Sequence, residues 1–187
     1  MENYPMIKRW VFFVGIWMLS PLIASTQVAP ALSGGSKFKL ALGAGFSSFD
    51  TDYSPHRMYG ITAYGDLDYG RWIGFEAEGR TIQFNQFGNL REDTLGGGAR
   101  FRFPQFGRIT PYTKFLIGIG SIDFPASPKL PFYTHDTFIF YNAGGGVDYR
   151  LSSHFYLRGS YDYEWWPRWP KHGLTPNGFT IGANYRF

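Results

Sequence analysis

The last ten residues, Gly178 to Phe187, alternate without a break. Phe179, Ile181, Ala183, Tyr185 and Phe187 fall on one side, and Thr180, Gly182, Asn184 and Arg186 on the other. A strand sends successive side chains to opposite faces, so this is a strand with one apolar, aromatic face and one small or polar face. The same period of two recurs in seven earlier segments: Lys37–Phe46, Met58–Tyr69, Arg71–Thr81, Thr94–Phe103, Ile109–Gly120, Phe138–Arg150 and Phe155–Glu164. Leu116 breaks the alternation mildly in the fifth. The segments run roughly 10 to 13 residues, the length a tilted membrane strand requires and about twice a typical soluble strand.

The connections alternate in length. Gly70, Pro104–Arg108 and Leu151–His154 are short, whereas Ser47–Arg57, Ile82–Asp93, Ser121–Thr137 and Trp165–Asn177 are long. Long and short connections take turns in an up-and-down membrane barrel, with short turns on the periplasmic side and long loops outside. Both chain ends then fall on the short-turn rim. The pattern predicts an all-β, eight-stranded antiparallel up-and-down transmembrane β-barrel.

Composition supports strands. Aromatics make up 20% of the 187 residues and there are 24 Gly, a usage that disfavours helices. The start of the chain differs. Lys8 and Arg9 precede an apolar run, Trp10 to Ala24, interrupted by Gly15, Ser20 and Pro21. This reads as a cleavable signal peptide, with cleavage after Ala31 or after Ser25. Residues 1–31 are thus assigned to the signal peptide and processing region, and 32–187 to the barrel. The absence of Cys means an exported protein held together without disulfides. A formal charge of +4 with no Lys/Arg cluster gives no footprint for nucleic acid.

The charges lie mostly on the polar face. Its cations are Lys37, Lys39, Arg80, Arg100, Arg102, Lys114, Arg158 and Arg186. Its anions are Asp66, Asp68, Glu76, Glu78, Asp148, Asp162 and Glu164. The two sets nearly cancel, as expected of the interior of an eight-stranded barrel, which is just wide enough to be filled by side chains. Buried charge there must be paired. A soluble barrel carrying an apolar ligand would need the reverse, with apolar residues inside. Gly43, Gly96, Gly98, Gly144 and Gly146 share the inward face and leave room for long Arg and Lys stems. Asp162 and Glu164, on the neighbouring seventh strand, are the expected partners of Arg186.

The segment Gly65-Asp66-Leu67-Asp68-Tyr69-Gly70-Arg71-Trp72-Ile73-Gly74-Phe75-Glu76-Ala77-Glu78 resembles the second hairpin of OmpA-like and OmpX-like outer-membrane β-barrel domains. The run Asn142 to Leu151 resembles their sixth strand and turn, Pro111-Tyr112-Thr113-Lys114 their fifth, and Phe187 their terminal aromatic residue. The resemblance spans roughly Lys37 to Phe187. It implies a location in the Gram-negative outer membrane and contact with its lipid and lipopolysaccharide. It also implies insertion by the barrel-assembly machinery, which reads the C-terminal strand with Phe187 as its signal. No peptidoglycan-binding domain follows Phe187, so periplasmic anchoring is not implied.

Catalytic chemistry finds little support. His56, His135, His154 and His172 show no metal-ligand spacing. Ser153-His154 are adjacent, so their side chains should point apart; His135-Asp136 is a slightly better pair. The glycine triplets 96–98 and 144–146 lead into no helix with Lys and Ser/Thr, so they are not phosphate loops. No catalytic residue, metal or cofactor is assigned. Trp165, Trp166 and Trp169, with Arg168 and Lys171, read as an outer girdle element near lipid A phosphates, or else as an exposed recognition loop. The expected function is a non-catalytic outer-membrane barrel with a charge-paired, plugged lumen and four exposed loops that could hold a surface ligand. A lipid A-modifying enzyme and a soluble lipocalin-like binder are the alternatives.

Overall fold

The computed structural model describes residues 37–54, 56–84, 90–124, 134–169 and 173–187. The segment read as a signal peptide, with its two candidate cleavage positions, lies outside them. Eight strands follow one another: β1 (Phe38–Asp50), β2 (Met58–Tyr69), β3 (Ile73–Phe84), β4 (Leu90–Arg102), β5 (Ile109–Phe124), β6 (Thr134–Arg150), β7 (Phe155–Trp165) and β8 (Asn177–Arg186). Each pairs antiparallel with the next. The barrel closes through β1 and β8, from Ala41 opposite Arg186 to Asp50 opposite Asn177. Closure pairs every strand on both sides, so no edge is left with unpaired backbone groups. Such groups would be costly in lipid.

Alternation sets which face is which. Along β7 from Phe155 to Trp165 every inward residue is buried and every outward one is exposed except the half-buried Gly159. The outer wall carries Leu42, Phe46, Ile61, Ile117 and Ile181, the last 73% exposed. In β8, Phe179, Ile181, Tyr185 and the following Phe187 face outward, while Thr180 and Asn184 are buried inside. An apolar wall this continuous is not stable against water; it is the surface a barrel shows to lipid.

Several strands reach further toward the long-loop rim than the alternation of charge suggests. β1 continues to Asp50, β5 to Phe124, and β4 and β6 start at Leu90 and Thr134. The period of two persists there, but the interior chemistry changes. Phe49, Met58, Ile82, Leu90, Ile122 and Phe140 point inward and form one apolar cluster with Trp166 and Leu174. A reading that looks for polar residues inside therefore ends these strands too early. At the opposite rim the turns are tight: Gly70 and Gly107 adopt φ of 63° and 60°, a left-handed backbone that favours glycine.

The wall is packed closely enough to make some glycines obligatory. A Cβ on Gly98 would collide with the Phe115 carbonyl oxygen on β5, whereas one on Gly159 would meet nothing within 4 Å. Gly98→Ala should lower stability by about 1–3 kcal/mol, and Gly159→Ala should change it by less than about 0.5 kcal/mol. Urea unfolding of the refolded barrel, followed by its heat-modifiable gel band, measures both.

Candidate functional site: an ion-paired lumen beneath an aromatic cap

The middle of the lumen is built around two arginines from opposite walls. Arg100 on β4 donates to Asp66 and to Asp148, each at 2.7 Å. Arg158 on β7 donates to Asp148 at 2.8 Å and to Asp66 at 2.5 Å. Glu76 stands 3.4 Å from both guanidinium groups. Tyr112 and Tyr64 cover the flat faces, with Arg100 4.1 Å from the Tyr112 ring and Arg158 4.3 Å from the Tyr64 ring. Shared bidentate contacts and ring stacking suit the planar, delocalised guanidinium. All these groups are buried.

The register explains why the network must cross the barrel. Asp66 lies directly opposite Glu76 on β2 and β3, and Arg100 opposite Lys114 on β4 and β5. Like charges placed opposite one another destabilise a sheet. Each pair becomes tolerable because the balancing charge arrives from the other wall.

Toward the long-loop rim, Lys114 lies 3.0 Å from Glu76 and from Asp162, and also bonds Glu78. Arg80 bonds Glu164, stands 3.6 Å from Glu78 and lies 3.6 Å over the Phe49 ring. Toward the short-turn rim, Asp68 meets Arg102 at 3.0 Å. Arg186 is 3.9 Å from Asp68 and from Asp148, and stacks over Tyr156. The partners expected for Arg186, Asp162 and Glu164, are therefore not its partners. Asp162 pairs with Gly178, eight positions along β8 from Arg186 and roughly 26 Å away.

The interior inventory also shifts. Lys37 and Lys39 have inward parity but stand exposed at the rim, where the strands end and their long stems reach solvent. Glu92, which the sequence places in a long connection, is buried inside β4. Arg91, Glu92, Asp93 and Thr94 are all polar, so no alternation of hydrophobicity marked the strand there. Among the described residues the interior holds six cations against eight carboxylates. Neutral donors serve the upper carboxylates: the Tyr53 hydroxyl donates to Glu92 at 2.7 Å and the Trp166 indole N–H to Glu164 at 2.9 Å. Burial first, and the Glu92 charge second, push the Tyr53 phenol well above its ordinary value, so it stays a donor.

The three loop tryptophans separate. Trp165 is outward, 51% exposed and 5.8 Å from the Tyr141 ring, as a girdle residue would be. Trp166 is fully buried and stacks on Phe140 at 5.8 Å. It occupies space that Gly120 leaves on β5, where a Cβ would strike its ring. Trp169 packs among Tyr53, Phe124 and Phe138. Neither Trp166 nor Trp169 sits at the lipid interface, because the segment after β7 folds inward over the mouth. Asp52 fastens this cap by accepting from the Thr175 N–H at 2.7 Å and from its hydroxyl at 2.5 Å. The inward glycines serve rings as well as stems: Gly43 makes room for Tyr64, Gly96 for Phe140, and Gly144 for Asp162 and Lys114.

Ser153 and His154 do not point apart: Ser153 Oγ is 2.8 Å from His154 Nδ1. Both are exposed, the imidazole stacks on Tyr185, and no carboxylate among the described residues orients it. A nucleophile–base pair needs that third group; here the contact closes a polar turn. His172 and the side chain of His135 lie outside what the structure describes. Phe187 is half-exposed on the outer wall, and its N–H donates to the Leu40 carbonyl at 2.9 Å.

Fold and interior define the class, an eight-stranded transmembrane β-barrel with an apolar wall and charged groups buried inside. The chain belongs to the outer membrane protein beta-barrel domain family, whose model matches residues 18–187. It is therefore an outer-membrane protein. Solved structures share the fold at low identity. Neisserial surface protein A matches at 14% identity and TM-score 0.61, covering 81% of this chain and 98% of its own. OprG of Pseudomonas aeruginosa matches at 11% and 0.60, covering 80% and 95%. Ail, the attachment invasion locus protein of Yersinia pestis, solved with the heparin analogue sucrose octasulfate, matches at 17% and 0.57, covering 81% and 99%. A search of curated proteins returns no match.

Removing Arg100 should expose the cost of the network. Arg100→Met leaves Asp66 and Asp148 short of a buried partner and should destabilise the barrel by about 3–5 kcal/mol. Arg91→Met, which breaks a half-exposed pair with Asp93, should cost no more than about 1 kcal/mol. Equal unfolding midpoints for the two variants would show that the lumen is solvated.

Proposed function

We propose that this chain is a non-catalytic, plugged outer-membrane barrel that presents its long connections at the cell surface. The observation that carries this reading is the closure of the lumen at two levels. Arg100 and Arg158 tie opposite walls together through Asp66 and Asp148. Above them Trp166 and Phe140 fill the mouth. A solute would have to break paired, desolvated charges and then displace packed rings. The role is therefore structural and surface-interacting rather than conductive. Short turns face the periplasm, which fits a chain delivered by a signal peptide and inserted by the barrel-assembly machinery with Phe187 at the strand it reads.

The long-loop rim offers the surface for a ligand. Its described charges are Asp50, Asp52, Asp93, Asp123 and Asp136 against Arg57, Arg91 and Arg168. The long connections also carry Lys129 and Lys171, so charge there is balanced over the full sequence and by itself favours no sign of ligand. Lipopolysaccharide contact falls to the outward aromatics and to Arg168.

Two measurements test the reading. In planar bilayers the refolded protein should give no steady conductance steps; regular channel openings would overturn the plugged lumen. The chain lacks cysteine, so single cysteines report orientation cleanly. A membrane-impermeant maleimide should label Arg168→Cys on intact cells and should label Arg108→Cys only after the outer membrane is permeabilised. The opposite pattern would invert the topology.

A further inference from the structure

Exposed charge is distributed unequally between the two rims. Of the acids in the described chain, eight are buried in the lumen and the remaining five stand at the long-loop rim. The short-turn rim therefore has no exposed carboxylate side chain among the described residues. It carries Lys37, Lys39, Arg71, Arg108 and Arg150 instead, all exposed and none in an ion pair among the described residues.

Four of these cations come in two adjacent pairs held by backbone hydrogen bonds. The Gly70 N–H donates to the Lys37 carbonyl at 2.8 Å, which sets Lys37 beside the turn that carries Arg71. The Arg150 N–H donates to the Arg108 carbonyl at 2.8 Å, which sets those two guanidinium-bearing residues side by side at the ends of the neighbouring strands β6 and β5. Like charges in such positions repel, unless an anion lies between them. Each pair stands at the strand ends, with an exposed aromatic ring nearby. Arg71 lies 4.9 Å over the half-exposed Trp72 ring, and Phe106, 66% exposed, precedes Arg108 in its turn.

We propose that the short-turn rim binds anionic glycerophospholipids of the surrounding leaflet, with their phosphates seated between Lys37 and Arg71 and between Arg108 and Arg150. The inference rests on the membrane orientation given above. The cations lie around the circumference rather than on one side, which suits a ring of headgroups. Each pair adjoins aromatic rings at the depth where acyl chains begin, so the recognised molecule joins an anion to a hydrocarbon tail. A soluble polyanion would leave those rings unused. Basic residues next to a membrane attract anionic headgroups, and the attraction decays within a Debye length. The rim therefore selects charge in the periplasmic leaflet.

The test uses the protein refolded into nanodiscs of mixed phosphatidylcholine and phosphatidylglycerol, then released for native mass spectrometry of the retained lipid. Wild type should retain phosphatidylglycerol at least about fivefold over its bulk ratio, the factor one interfacial cation contributes. Replacing Lys37, Arg71, Arg108 and Arg150 together by Gln should bring the ratio near one. Replacing either pair alone should give an intermediate ratio, which keeps the test open if the fourfold variant folds poorly. Arg57→Gln with Arg168→Gln, at the other rim, should leave the ratio unchanged. Retention without preference by a correctly inserted wild type would overturn the proposal. So would a preference that survives the rim substitutions, or one that free glycerol phosphate abolishes, since that would make it a soluble-anion site. A chain that fails to insert into the nanodiscs removes the membrane reading and this proposal with it.

Discussion

Charge buried in an eight-stranded barrel has nowhere to go except onto another side chain, and the structure turns on how Arg100 and Arg158 meet that constraint. Each guanidinium reaches both Asp66 and Asp148, so four strands are joined through the centre of the lumen. The sheet alone could not stabilise these groups, because its register places Asp66 against Glu76 and Arg100 against Lys114. Neighbouring strands supply some opposite charge, as Asp148 lies opposite Arg158, and closure of the cylinder supplies the rest from across the lumen. The ion pairs are thus a condition of the closed state rather than an addition to it. A buried pair can cost as much in desolvation as it returns, and the cost of leaving one member alone is what penalises the open or misregistered sheet.

The second constraint is where the polar interior stops. At the long-loop end the inward positions turn apolar, and Phe49, Met58, Ile82, Ile122 and Phe140 gather under Trp166. This small core lies over the charged section and joins it through Arg80 on the Phe49 ring and through the Trp166 indole on Glu164. It holds inward a segment that would otherwise be free to spread over the lipid headgroups. It also supplies neutral donors where carboxylates outnumber cations. The loop surface available to a partner is consequently built on a packed base, and a packed base gives a binding surface more definition than free loops provide.

The outer wall and the two rims divide the remaining work. The apolar wall fixes the barrel in hydrocarbon, and the two rims differ in exposed charge, mixed at the long loops and cationic at the short turns among the described residues. That difference follows from the acids: among the described residues they lie inside the lumen or at the long-loop rim, whereas cations stand at every level. A barrel with this arrangement meets different chemistry on its two sides of the membrane, whatever ligand its loops hold.

Much of this was legible along the chain. Period-two alternation gave eight strands, the outward face of β8 from Phe179 to Phe187, and the inward parity of Asp66, Glu76, Arg100, Lys114, Asp148 and Arg158. Parity is a local property of extended backbone, so no partner is needed to read it. The ends of the strands were not legible by polarity, because Glu92 is polar inside while Phe49 and Ile122 are apolar inside; the interior changes character along its axis. Nor were the charge partners. Arg186 reaches Asp68 and Asp148 rather than Asp162 or Glu164, because partners are set by the stagger of the closed barrel and by the distance across it. Trp166 and Trp169 look alike beside Trp165 in sequence, yet two of the three turn inward, because the cavity left by Gly120 and flanked by Phe140 exists only after closure. The sequence by itself determined which face each residue takes. What each inward residue meets follows from the closed barrel, because most of those meetings run between strands that are not neighbours in the sheet.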